Sequence, residues 1–137
     1  MQKKQAKANY DACLNTPFAN LGLCFEEGVL TGIDYIEAGL KVKPVSAESK
    51  NVCKQIRDYC SNKLTAMDFD IPMKTTGTPF QKKVWSALQK IPVGEVVTYG
   101  DLAKRLKTSA RAVGNACRNN PIPVVIPCHR VVSKTGL

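Results

Sequence analysis

The chain has one histidine among its 137 residues and no Cys-x-x-Cys pair. That leaves little material for a mixed Cys/His zinc site, and of the six cysteines (Cys13, Cys24, Cys53, Cys60, Cys117 and Cys128) only a thiolate set stays open as a metal binder. No apolar run is long enough to span a bilayer, which argues against a membrane protein. The start, Met1-Gln2-Lys3-Lys4-Gln5, lacks the apolar core of a signal peptide. We therefore expect a cytoplasmic protein with reduced cysteines and no metal. There is no internal repeat and no low-complexity tract. Acidic residues are scarce in one half only. Residues 1–77 hold ten Lys/Arg and nine Asp/Glu, a net of +1, whereas residues 78–137 hold ten and two, a net of +8. A basic excess confined to one half points to a polyanion partner for that half. A surface that is basic only for solubility is the competing explanation.

What is present suggests an α+β fold in two parts, residues 1–76 and 77–137. The length is enough to bury a core, and an apolar fraction of 44% is ordinary for a globular chain. After a lysine-bearing lead, residues 1–9, Leu21, Leu23 and Phe25 alternate with Gly22 and Cys24 as in a strand. Glu26-Glu27-Gly28 reads as a turn and Val29 to Ile36 as a returning strand. Val52, Ile56, Cys60 and Leu64 recur every fourth residue, so Ser46 to Leu64 reads as a helix that Ser46 can cap. Met67 to Met73 is expected to add a strand, and Met73 to Gly77 to be the linker. The first part is thus a small antiparallel sheet with a helix against it.

The second part reads as helices with clear boundaries. Thr78-Pro79-Phe80-Gln81 has the form of a capping box, and Phe80, Val84, Trp85 and Leu88 then make an apolar face. Ile91-Pro92-Val93-Gly94 stops that helix, and Glu95-Val96-Val97 is a short strand. Thr98-Tyr99-Gly100-Asp101 opens a second helix with Leu102 and Leu106 inward. Ser109 caps a third, which runs to about Arg118 before Asn119-Asn120-Pro121. Two short helices on a basic background fit a helix-turn-helix, and equally an ordinary helical hairpin. The third helix, Ser109-Ala110-Arg111-Ala112-Val113-Gly114-Asn115-Ala116, carries small side chains and one long cation. A major-groove reader projects several polar side chains toward base edges. Small residues instead allow close backbone approach, which suits the minor groove, or they serve tight helix packing.

Pro127-Cys128-His129-Arg130-Val131-Val132 is the most chemical stretch. Cysteine is a nucleophile once deprotonated, and a histidine can help remove its proton. Neighbouring residues project in different directions, so contact through one bridging water is easier than a direct bond. A buried cysteine beside an exposed histidine, without chemistry, has the same spacing.

Together these blocks resemble the O6-alkylguanine-DNA alkyltransferases. The blocks are Gly77-Thr78-Pro79-Phe80-Gln81, Ile91-Pro92-Val93-Gly94-Glu95, Thr98-Tyr99-Gly100-Asp101-Leu102-Ala103, Arg111-Ala112-Val113-Gly114, Asn119-Asn120-Pro121-Ile122-Pro123 and Pro127-Cys128-His129-Arg130-Val131. The resemblance implies a ribonuclease-H-like first domain and a winged-helix-like second domain that carries the helix-turn-helix and the active site. It implies that Cys128 accepts the alkyl group and that His129 deprotonates it through water. Tyr99 is similar to the tyrosine that crowds the target phosphate and can donate a proton to the leaving base. Arg111 is similar to the finger that fills the space left by a flipped nucleotide, with Ala112, Gly114 and Asn115 on the same DNA-facing helix. Asn120 is similar to the hinge between helix-turn-helix and active site. The implied partner is double-stranded DNA containing O6-alkylguanine, bound in the minor groove by a monomer that needs no cofactor.

In the family the acceptor motif is followed by a segment that closes over the base and supplies a carboxylate behind the histidine. The sequence given stops at Leu137, so we expect it to bind DNA and to transfer alkyl groups slowly or not at all. The runner-up is a non-catalytic protein that binds alkylated DNA, since some relatives lack the acceptor cysteine. A helix-turn-helix regulator is disfavoured by the few base-reading side chains on residues 109–118. A thiol hydrolase is disfavoured because its histidine normally comes from elsewhere in the chain.

Overall fold

A computed structural model describes residues 10–37, 41–61, 70–92 and 94–133. Strands β1 (Ala12–Asn15), β2 (Asn20–Glu26) and β3 (Val29–Ile36) form an antiparallel sheet in that order. The tight β2–β3 turn needs positive φ at both central residues. Glu27 adopts φ 49° and Gly28 φ 80°. The expected turn and returning strand are therefore both present. β1 is additional to the strands that the sequence pattern marks. A register shift between Cys24 and Phe25 breaks the alternation, which is why Phe25 is only partly buried while Leu21 and Leu23 are fully so.

Helix α1 (Ala47–Cys60) is capped by Ser46, whose Oγ accepts from the Ser49 N–H at 3.0 Å. Val52, Cys53, Ile56 and Cys60 are buried in one cluster with Leu14, Leu21, Leu23, Leu30 and Ile33 of the sheet. The helix is closed by Ser61, and Leu64 lies outside the described residues. The strand expected at Met67 to Met73 falls partly outside them too. Within them, Met73 makes one parallel bridge to Leu30, and Leu30 N donates to Pro72 O at 3.0 Å.

Helix α2 (Pro79–Gln89) starts with the expected capping box: Thr78 Oγ1 accepts from Gln81 N, and Gln81 Oε1 accepts from Thr78 N. Gly77 lies under the Trp85 ring, where a Cβ would come within 2.6 Å of it. Helices α3 (Tyr99–Leu106) and α4 (Ala110–Arg118) are capped by Thr98 and Ser109 and joined by a tight turn through Lys107 in the left-handed conformation, φ 56°. Trp85 Nε1 donates to Ala116 O at 2.8 Å and so fastens α2 to α4. The short strand expected at Glu95–Val97 is β4, Val97–Thr98; it pairs in parallel with β5, Val131–Val132. Among the described residues there are thus a small antiparallel sheet, a two-stranded parallel pair and four α-helices, an α+β fold. No helix among them is long and apolar enough to cross a membrane.

Candidate active site and nucleic-acid interface

The site is built where three local structures meet. The first is the segment between α4 and β5. Asn120, just beyond α4, donates from Nδ2 to Ile126 O at 2.8 Å, and its Oδ1 accepts from Ile122 N at 2.9 Å. Ile126 N donates back to Ile122 O at 2.9 Å. The turn so closed contains Val124 at φ 76°, a conformation that a β-branched side chain rarely takes. Pro127 follows with φ −84° and ψ 68°, the centre of an inverse γ-turn, and the Cys128 N–H closes it onto Ile126 O at 2.9 Å. A single 3-10 turn, Cys128–Arg130, then leads into β5.

The second is the β4–β5 pair. Val97 lies opposite Val131, and Thr98 opposite Val132. Thr98 also caps α3, with Oγ1 accepting from Asp101 N at 3.0 Å. The start of α3, and Tyr99 with it, is thereby brought beside the cysteine turn. Burial raises the Tyr99 hydroxyl above the ordinary tyrosine range, and the nearby thiols of Cys117 and Cys128 add to this, against a smaller opposing pull from Arg118. A phenol so placed keeps its proton at neutral pH.

The third is the first sheet. Ile33 N on β3 donates to Pro121 O at 3.0 Å. Tyr35, on the same strand, has its hydroxyl pushed up to about 12 by burial, with Cys128 among the neighbours that add to the shift. The N-terminal sheet thus abuts the segment that carries the cysteine.

Cys128 is buried, at 7% exposure, and His129 beside it is exposed. Partial desolvation, and then the Arg130 guanidinium, hold the His129 imidazole below the ordinary histidine range. It is therefore a neutral proton acceptor at pH 7. Cys117, also buried, has its thiol pushed up to about 12 by burial and by Cys128, and is not a thiolate at neutral pH. None of the six cysteines is in a disulfide. Among the described residues no group of three His, Cys, Asp or Glu side chains is arranged to hold a metal ion.

Helix α4 buries Val113, Ala116 and Cys117 and exposes Arg111 and Asn115. A Cβ added at Gly114 would meet only the Tyr99 ring edge, at 3.9 Å. Internal packing therefore does not require glycine at 114. At Ala116, buried and fastened by its carbonyl to Trp85, small size does serve packing. Packing thus accounts for the small residue at 116 and leaves the one at 114 without an internal reason. Tyr35 has no signal in the sequence, and Arg130, read there within the cysteine motif and among the basic charges, is buried at 4% exposure. No local pattern around either announced its place.

Two short helices joined by a tight turn lead through one asparagine to a buried cysteine, with a histidine next to it and a tyrosine alongside, an arrangement suited to the class of proteins that present a thiol to a nucleic acid. The comparisons with known proteins narrow it. Residues 79–137 match the model of the 6-O-methylguanine DNA methyltransferase DNA binding domain. A methylated-DNA–protein-cysteine methyltransferase of Methanosarcina acetivorans is 33% identical, over 93% of this chain and 85% of its own length. The constitutive one of Bacillus subtilis is 34% identical, over 93% and 83%. The crystal structure of Mycobacterium tuberculosis O6-methylguanine methyltransferase superposes with a TM-score of 0.78 at 33% identity, covering 91% of this chain and 79% of that one. The M. tuberculosis OGT in complex with DNA does so at 0.79 and 34% identity, covering 91% and 79%. This chain belongs to the methylated-DNA–protein-cysteine methyltransferase family, DNA-binding enzymes of DNA repair.

Proposed function

We propose that the chain binds duplex DNA containing O6-alkylguanine through the minor groove, flips the damaged base out, and transfers its alkyl group irreversibly to Cys128. The observation that carries this reading is the single carbonyl of Ile126, which accepts from both Asn120 and Cys128 and so ties the helix-turn-helix to the thiol. An alkylated base is out of reach within the stack, and flipping it costs about a few kcal/mol. Arg111, exposed near the start of α4, is suited to fill the gap, while Ala112, Gly114 and Asn115 let the helix backbone approach.

His129, neutral at pH 7, takes the Cys128 proton through a water molecule. The sulfur attacks the alkyl carbon, the S–C bond forms, and the C–O6 bond breaks with its electron pair going to the guanine oxygen. Tyr99, which holds its proton at neutral pH, supplies one to the leaving base. Its proton is restored through solvent from the one His129 removed. The thioether product is stable to water, so each molecule reacts once and uses its own thiol in place of a cofactor.

In this reading the first three strands and α1 form a ribonuclease-H-like domain, residues 1–76. Residues 77–137 form a winged-helix-like domain, Asn120 is the hinge between recognition and chemistry, and the protein works as a cytoplasmic monomer. The test is intact-protein mass spectrometry with peptide mapping after incubation with duplex DNA containing O6-methylguanine. A single added methyl on Cys128 is expected. DNA binding without any mass change would favour a non-catalytic binder of alkylated DNA.

A further inference from the structure

Arg130 is the only charged side chain buried among the described residues. Its Nη1 donates to Ile91 O, just past the C-cap of α2, and its Nη2 to the hydroxyl of Tyr59, on the last turn of α1; both distances are 2.7 Å. A guanidinium is a rigid planar fork, so two acceptors on two different elements fix its position and orientation. The turn it belongs to has three residues and no side-chain cap. Its front is held at Ile126 O through the Cys128 N–H. Its rear is held by Arg130. Cys128 and His129 hang between these two anchors, and one of the rear acceptors comes from a helix 71 residues away in sequence.

We propose that Tyr59 is a positioning residue for alkyl transfer: through Arg130 it sets the orientation of the Cys128–Arg130 turn and so aims the thiol at the flipped base. This rests on Cys128 being the acceptor. Without the Tyr59 hydroxyl, a buried guanidinium is left with a donor to satisfy and shifts toward another acceptor, and the turn shifts with it. An in-line displacement at carbon is sensitive to such a shift, since a misplacement of about 1 Å can cost roughly 100-fold in rate. The tyrosine touches neither DNA nor the base in this scheme. Its loss should therefore slow the chemical step and leave DNA affinity alone.

The experiment is single-turnover transfer from duplex DNA containing O6-methylguanine, with rate followed against DNA concentration. Peptide mapping of the unaltered protein comes first. A methyl on a cysteine other than Cys128 would sink the acceptor assignment itself, apart from anything about Tyr59. With Cys128 labelled, Tyr59→Phe is expected to lower the limiting rate about tenfold and to leave the half-saturating DNA concentration within about twofold. In an Arg130→Lys background, Tyr59→Phe should cause no further loss, because the hydroxyl acts only through the guanidinium. An unchanged limiting rate in Tyr59→Phe, with only a lower melting temperature, would overturn the proposal. So would a second, independent loss in the Arg130→Lys background. Should Arg130→Lys fail to fold, the limiting rate of Tyr59→Phe alone decides.

Discussion

Asn120 and Cys128 share one acceptor: Asn120 Nδ2 and the Cys128 backbone N–H both donate to the carbonyl oxygen of Ile126, at 2.8 and 2.9 Å. The asparagine thereby helps fix the backbone that carries Cys128. Its Oδ1 accepts from Ile122 N at the other end of the same turn. A side chain that must donate and accept at once cannot be replaced by one that does only half.

Asn120→Ala should therefore cost about 2 kcal/mol of stability, from two lost bonds in a partly buried turn. Asn120→Asp should do no better, because an ionised carboxylate cannot donate to Ile126 O. Both should slow transfer to Cys128. Denaturant unfolding together with single-turnover rates checks this, and an Asn120→Asp protein with normal stability and rate would contradict it.

Val124 gives a second prediction about the same turn. Its φ of 76° suits glycine and strains any L side chain by about 1–2 kcal/mol. At ordinary positions alanine is more stabilising than glycine, because glycine has more chain entropy to lose. At 124 the order should reverse, with Val124→Gly more stable than Val124→Ala by up to about 1 kcal/mol. Comparing the two variants removes the shared loss of the valine side chain. The opposite order in thermal or denaturant unfolding would show that the turn relaxes.

The parts of this site that were legible in the sequence are the local ones. Caps at Ser46, Thr78, Thr98 and Ser109 were readable because each is a side chain bonding to a backbone N–H three residues on. The β2–β3 turn was readable because Gly28 marks it. β1 is not legible because Ala12-Cys13-Leu14-Asn15 has little strand propensity of its own and is held by its pairing with β2, Ala12 opposite Leu23 and Leu14 opposite Leu21. Met73 reads as part of a strand, yet among the described residues it bridges only Leu30. The parallel β4–β5 pair joins segments more than thirty residues apart, and two residues on each side give no periodicity to detect. Arg130 and Tyr59 could not be paired from sequence for the same reason: the bond crosses the whole fold, and an arginine beside a histidine reads as surface charge.

In the proposed mechanism His129 sets the acid limit of the reaction. Its proton-accepting form is the neutral imidazole, and its pKa lies below the ordinary value near ~6.5. Transfer should therefore keep its neutral-pH rate down to pH ~6.5 and fall only as pH drops through the lowered value. The same sign holds for folding. The unfolded chain takes up the proton first, so the contribution of neutral His129 is complete above the unfolded pKa and is lost as pH falls through the folded one. His129→Gln should slow transfer at neutral pH and abolish this limb. A limb at or above the ordinary histidine pKa in the unaltered protein would show that desolvation and Arg130 do not govern the imidazole.

Arg111 is best tested by separating duplex from base. It is exposed on the first turn of α4 whereas the thiol is buried, so its loss should not disturb the chemistry of Cys128. A flipped nucleotide leaves unstacked neighbours and a gap, and an inserted side chain recovers part of that cost. A free alkylguanine base leaves no gap. Arg111→Ala should accordingly slow transfer from duplex DNA by roughly tenfold or more, the cost of a few kcal/mol being only partly met elsewhere, while transfer from free O6-benzylguanine changes little. Tyr99→Phe provides the contrast. In the proposed mechanism it removes a proton donor that either substrate needs at its leaving oxygen, so both rates should fall. The mutation also removes one phosphate contact at most, so the steep salt dependence of duplex binding should persist in both variants. Equal losses on the two substrates in Arg111→Ala would place that side chain in the chemistry, or in the fold, and not in the DNA gap.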